Sequence, residues 1–305
     1  MDRLKTKVCG IEFKNPVIAA SGTFGYGLEF KKFTNLDELG GISVKGISLH
    51  PVEGNPMPRL AETYSGLLNA IGLQNVGVEK FIKEKLPALK SVKTNLIVNF
   101  WGKTTEEYVE VAKILDQQER VDMLEMNISC PNIKEGGISF SSSPEAVANI
   151  VSACRKVIKN KPLVIKLSPN VQDIRPFAKA CEDNGADGIS AINTLLGMAI
   201  DIERMKPVLA NVTGGLSGPA IKPIALRMVK EVFETVSIPI MGMGGIGRWE
   251  DAAEFILSGA SLVQVGTANF INANACNQIA SGLDSYLERK NINNFNEIIG
   301  QAIRK

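Results

Sequence analysis

Two hydrophobic rhythms alternate along the chain. Short apolar, β-branched runs recur at PVIAA (16–20), GISVK (41–45), LIVNF (96–100), MLEMN (123–127), LVIKL (163–167), GISAIN (188–193), PIMGMG (239–244) and LVQVG (262–266). Between them lie segments such as EEYVEVAKILDQQ, PEAVANIVSACRKVIKN, DIRPFAKACEDNG, IALRMVKEVFETV and EDAAEFILSG, whose apolar residues return every three or four positions. Short runs that are apolar throughout suit strands covered on both faces, and the three-to-four spacing suits amphipathic helices packed over them. Eight such strands alternating with helices predict an α/β fold in which parallel strands close into a (β/α)8 TIM barrel. An open doubly wound sheet is the second reading; the absence of a GxGxxG turn after the first strand counts against it.

TKVCGIEFKNP, near the start, predicts a short N-terminal β-hairpin placed to close the barrel bottom. Three connections after strands are long, at about residues 46–78, 128–143 and 194–221. They belong at the C-terminal face, where barrels of this kind do their chemistry. With no Pro/Gly/Ser-rich linker and no charge block, residues 1–305 read as a single domain.

Composition acts mainly by exclusion. The 34 Lys+Arg residues nearly cancel the 32 Asp+Glu, and a net charge of +2 supplies no general field for nucleic acid. The N-terminal MDRLKTKVCGIEFKNP has no apolar signal core, and no run approaches the roughly 18 apolar residues of a membrane span, so a soluble cytoplasmic protein is expected. The five cysteines lack CxxC spacing, which points to free thiols rather than a zinc or iron–sulfur centre. His50 is the only histidine, so His-ligated metals and His-dependent triads are excluded and no metal is expected.

Against that background, Lys45, Asn99, Asn127, Lys166 and Asn193 each end, or nearly end, a predicted strand. Any one alone suits a strand cap. Five together predict converging side chains that bind a flat polar ligand, because buried polar groups are costly unless partnered. MGMGGIGRWEDA (241–252) and QVGTANF (264–270) follow strands seven and eight, the usual phosphate position of the barrel, and make Gly244, Gly245, Gly266 and Thr267 phosphate candidates. NISCPNIKEGG (127–137) places Cys130 on a polar loop between Asn127 and Asn132, where a thiol serves as base or nucleophile. Cys9, Cys154, Cys181 and Cys276 read as small core residues. NAIGLQNVG (69–77) is a candidate flap over the mouth, and the glycines of NVTGGLSG (211–218) either lie against a cofactor edge or form a turn.

Taken together, ASGTFG (20–25), NAIGLQNVG, NISCPN, VIKLSPN, NTLLGMAID, TGGLSGPAIKP and MGMGGI with VQVGTA resemble the class 1 dihydroorotate dehydrogenases over nearly the whole chain. The flap motif and the cysteine in NxSCPN are more similar to the NAD-linked class 1B catalytic subunits than to the fumarate-using class 1A. The membrane-bound class 2 enzymes place serine where Cys130 stands.

The resemblance implies FMN held by Ser21, Gly22, Lys45, Gly46, Asn99, Asn127, Lys166, Ile192, Ser217, Gly218, Gly244, Gly245, Gly266 and Thr267, with Lys166 at the flavin N1/O2 edge. It implies orotate read by Lys45, Asn69, Gly72, Leu73, Asn127, Asn132, Asn193 and Thr194. Cys130 would remove a proton from C5 of dihydroorotate while hydride leaves C6 for flavin N5. A free thiol has a pKa near ~8.5, so that role calls for nearby cations or amide donors, or a raised working pH. Electrons would pass to NAD⁺ through a partner subunit carrying FAD and a 2Fe-2S cluster, joined to a homodimeric core as a heterotetramer. Rival readings are a dihydropyrimidine or dihydrouridine dehydrogenase-like FMN barrel, a non-catalytic sensor of a phosphate metabolite, and a phosphate-binding lyase or isomerase using Lys166.

Overall fold

The computed structural model describes residues 2–129 and 142–304, together with the backbone of 134–135 and 138–139. Eight strands, Val17–Ala19, Gly41–Ile47, Asn95–Phe100, Met123–Asn127, Leu163–Lys166, Gly188–Ala191, Ile240–Met243 and Leu262–Val265, form a closed barrel. They correspond one for one to the eight apolar runs, every neighbouring pair is parallel, and pairing of Val263 with Val17 closes the ring. The second strand shifts register against the third between Val44 and Ile47. Lys45 and Gly46 fall within this irregular stretch.

The five helices expected from spacing occur at Thr105–Asp116, Pro144–Val157, Arg175–Asp183, Lys222–Phe233 and Trp249–Leu257. Thr104 and Ser143 cap the first two by accepting the Glu107 and Ala146 amides. A further long helix, Ala275–Arg289, is absent from the spacing-based set. Ser281-Gly282 weakens its pattern, since glycine is a poor helix former. The glycine is required by packing: a Cβ at Gly282 would stand 2.4 Å from the Trp249 ring.

The expected hairpin is present, Thr6–Val8 pairing with Ile11–Phe13 across Cys9 and Gly10, both at positive φ. Its Val8 and Phe13 pack with Ile18, Ile97, Met123, Val164, Met241 and Leu262 inside the barrel's N-terminal end. Gly188 makes room for it, because a Cβ there would meet Cys9 Sγ at 3.2 Å.

The opposite end carries an element that the hydrophobic pattern does not predict. Leu60–Thr63, Gly66–Asn69, Thr213–Ser217 and Leu195–Met198 form a four-stranded antiparallel sheet built from two of the long connections. Gly218 of TGGLSG follows the Thr213–Ser217 strand at positive φ, while Gly214 and Gly215 lie within it. They are there for close approach: a Cβ on Gly215 would fall 2.1 Å from Thr194 Oγ1. Two-residue strand pairs join Ile200–Asp201 to Lys206–Pro207 and Lys134–Glu135 to Ile138–Ser139.

Candidate active site at the barrel mouth

At the C-terminal ends of the barrel strands, under the antiparallel sheet, lies a cavity of about 540 Å³. Lys45, Asn99, Asn127, Lys166 and Asn193 all line it, so the strand-end polar residues converge as expected. Ser21, Gly22, Gly46, Asn69, Gly72, Leu73, Ile192, Thr194, Ser217, Gly218, Gly244, Gly245, Gly266 and Thr267 line it as well. Cys130 and Asn132 lie outside the described residues.

Local hydrogen bonds fix which polar atom each side chain offers. Asn127 Oδ1 accepts from the Ser129 amide (3.2 Å) and hydroxyl (2.5 Å), which leaves its NH₂ to donate elsewhere. Asn193 donates to the Ser129 hydroxyl and accepts from the Thr194 amide at 2.8 Å. Asn69 donates to the Gly215 carbonyl at 3.3 Å, and Thr267 donates its hydroxyl to Ser217 at 2.7 Å. Asn170, within VIKLSPN, was not assigned to the site by its spacing. It lines the cavity and staples two loops by donating to the Thr194 carbonyl and accepting from the Leu196 amide.

The glycines divide into two kinds. Gly72 and Gly245 are packed tight, a Cβ meeting the Asn55 amide nitrogen at 2.6 Å or the Gly218 carbonyl at 2.8 Å. At Gly22 and Gly266 a Cβ would meet nothing closer than 3.9 Å, so a side chain there would project into open space beside the cavity. Asp251 already accepts the Gly247 and Arg248 amides at the start of the Trp249–Leu257 helix, so those two amides are taken within the chain. Within NAIGLQNVG, Asn75 is a staple rather than a ligand group: it accepts from the Ser48 and Gly77 amides and donates to Leu73 O and Ser48 Oγ.

Burial depresses the pKa of Lys45 below the ordinary lysine value, with Arg59 contributing. Burial drives the thiols the other way. Cys154 and Cys276 are pushed up to about 12 by it, Cys9 to about 12 by burial and the Asp187 charge, and Cys181 upward by burial. None of these four is a thiolate near neutrality; Cys154, Cys181 and Cys276 are core residues as expected, whereas Cys9 is only partly buried, at the hairpin turn.

Sequence spacing missed the most deeply buried charge at the site. Glu125 is 0% exposed, two residues before Asn127 on the same strand. Burial alone would raise its pKa, but the Lys166 ammonium and hydrogen bonds from Ser190, Asn99 and Gln264 outweigh that and hold it below the usual carboxylate range.

A family model described as dihydroorotate dehydrogenase matches residues 3–287. The chain belongs to the dihydroorotate dehydrogenase family. Among its relatives is a Pelobacter propionicus protein named dihydroorotate dehydrogenase B (NAD(+)), catalytic subunit, 54% identical over 97% of each chain. A Bacteroides thetaiotaomicron protein of the same name is 51% identical over 98% of this chain and 99% of its own. The fold matches the crystal structure of DHODH in complex with ferulenol from Eimeria tenella, with TM-score 0.83 at 22% identity, covering 100% of this chain and 90% of that one. Among the described residues no helix is long and apolar enough to cross a membrane.

Proposed function

We propose that this chain is the FMN-bearing catalytic subunit of an NAD⁺-linked dihydroorotate dehydrogenase, oxidising dihydroorotate to orotate in pyrimidine biosynthesis. The observation that carries this reading is the convergence of Lys45, Asn99, Asn127, Lys166 and Asn193 on one cavity edged by the glycine segments after strands seven and eight. It agrees with the names of relatives at 51–54% identity. Flavin mononucleotide fits the residues present, because the open faces of Gly22 and Gly266 are where side chains would take up ligand space. FMN, when bound, supplies the hydride acceptor.

The remaining roles belong to the chain. Gly244, Gly245, Gly266 and Thr267 hold the phosphate; Ser21, Gly22, Gly46, Ile192, Ser217 and Gly218 seat the ring system; Lys166 places positive charge beside it. Lys45, with Asn69, Asn127, Asn132, Asn193 and Thr194, binds the carboxylate and carbonyls of the substrate, and Gly72 and Leu73 form the flap above it. Cys130 takes the proton from C5.

The whole of 1–305 acts as one FMN-binding domain in the cytoplasm. Electrons leave through a partner subunit bearing FAD and a 2Fe-2S cluster, within a heterotetramer built on a homodimer. The exposed Leu196, Met198, Ile200, Ile202 and Met205 supply apolar surface for such assembly.

The test is an anaerobic visible spectrum of the purified chain before and after dihydroorotate. Bleaching of a flavin band is the expected result. A band that persists with dihydroorotate but bleaches with another reduced substrate overturns the substrate, and a colourless protein after reconstitution with FMN overturns the flavin.

A further inference from the structure

Glu125 is a carboxylate at the centre of the barrel. A carboxylate offers about four lone-pair positions, and four donors from four other strands occupy them: Ser43 Oγ (3.1 Å), Asn99 Nδ2 (2.7 Å), Ser190 Oγ (2.7 Å) and Gln264 Nε2 (2.5 Å). Two of these donors are amide N–H groups that cannot rotate into acceptors without an amide flip, so the cluster is built for an ionised carboxylate. A buried charge of this kind is costly and needs a counter-charge. Lys166 meets that need from the neighbouring strand. It is 6% exposed and makes no hydrogen bond or ion pair with any described residue, so it answers Glu125 through space and keeps its own N–H donors for the cavity.

The same network orients a second cavity residue. With Asn99 Nδ2 committed to Glu125, Asn99 Oδ1 is the atom left toward the rim, where a Cβ on Gly46 would stand 2.7 Å from it. The carboxylate itself is fully buried and does not line the cavity.

We propose that Glu125 is a positioning residue, a fixed negative charge under the site that orients Asn99 and offsets the field of Lys166, and so holds down the reduction potential of the flavin. This rests on the flavin reading above. A negative charge near the ring disfavours the electron-rich reduced form, and a cation favours it. Removing the Glu125 charge therefore leaves Lys166 less compensated and raises the potential.

The test measures the midpoint potential of bound FMN by anaerobic spectroelectrochemistry, alongside FMN affinity and the thermal midpoint of the FMN-stripped protein. Glu125→Gln keeps the shape. Gln264 Oε1 is buried without a partner, and flipping that amide turns it toward the new NH₂. The expected result is about a tenfold rise in the reduced-to-oxidised ratio at fixed poise, about 30 mV for a two-electron couple.

Ser190→Ala keeps the charge but removes one donor dipole. It is expected to move the ratio about threefold the other way, and keeps the proposal testable if Glu125→Gln does not fold. Variants that lower the thermal midpoint while the potential stays at the wild-type value overturn the proposal in favour of a purely structural network, as does a fall in potential with Glu125→Gln. A wild-type protein that takes up no FMN would instead overturn the functional reading.

Discussion

The two ends of the barrel are made from the same strands and behave as different materials. Inward positions two residues apart on one strand pair an apolar lower residue with a polar upper one: Ile97 with Asn99, Met123 with Glu125, Val164 with Lys166, and Leu262 with Gln264. The lower members pack on the N-terminal hairpin, and the upper members form the charged network or line the cavity. A strand's two-residue period thus lets one element carry stability at one end and chemistry at the other. The lesson is that distance along a strand, more than residue type alone, separates residues kept for packing from residues kept for function.

The largest expected effect is at the mouth. Cys130→Ala should slow flavin reduction by dihydroorotate by about 10²–10⁴-fold, the usual worth of a positioned base, while orotate titration of the bound flavin still gives a spectral change; anaerobic stopped-flow checks both. At the other end, Phe13→Ala should cost about 3–5 kcal/mol of stability in denaturant melts, with FMN affinity of the folded protein unaltered. Loss of FMN affinity with stability intact would break the division between the ends.

Asn193→Ala should raise the dihydroorotate KM by about tenfold, since a lost hydrogen bond to a charged or buried group is worth about 1–3 kcal/mol, and leave the melting temperature near wild type. The pH dependence of orotate binding sharpens the picture further. Burial, with Arg59, depresses the Lys45 pKa, so its charge is present at low pH and lost as pH rises through a value below that of an ordinary lysine. Affinity for the orotate anion should fall over that window, and Lys45→Met should remove this component from the titration. Smallest of all, Lys83→Ala breaks an exposed pair with Glu79 and should change neither the melting temperature nor FMN binding.

The barrel was legible because each strand is an apolar run, all but the first with Lys, Asn or Gly at or next to its end, and the strand-end residues were legible because their polarity is anomalous in such runs. The antiparallel sheet was hidden for a physical reason. Its strands are short and glycine-bearing, and they pair across large separations, Leu67 with Ser217 for example, so little local patterning marks them. Glu125 was hidden for the opposite reason: a single acid inside MLEMN looks like an ordinary polar alternation. The signal that finds it is lateral, with Ser43, Asn99, Ser190 and Gln264 reaching it from four other strands. The helix at Ala275–Arg289 was masked by a glycine whose reason, the Trp249 ring, lies elsewhere in the chain.

Closure of the ring by Val17 against Val263 has a consequence for how the protein is made. The first barrel strand leaves the ribosome roughly 250 residues before its closing partner, a wait of about 12–50 s at typical elongation speeds of ~5–20 residues per second. Until then the ring cannot close, and the Gly244–Ile246 and Gly266–Thr267 segments at the mouth are among the last parts to be made. The mouth of the barrel is therefore completed late in biogenesis, and a ribosome stalled before residue 263 would hold a chain that cannot yet close its barrel.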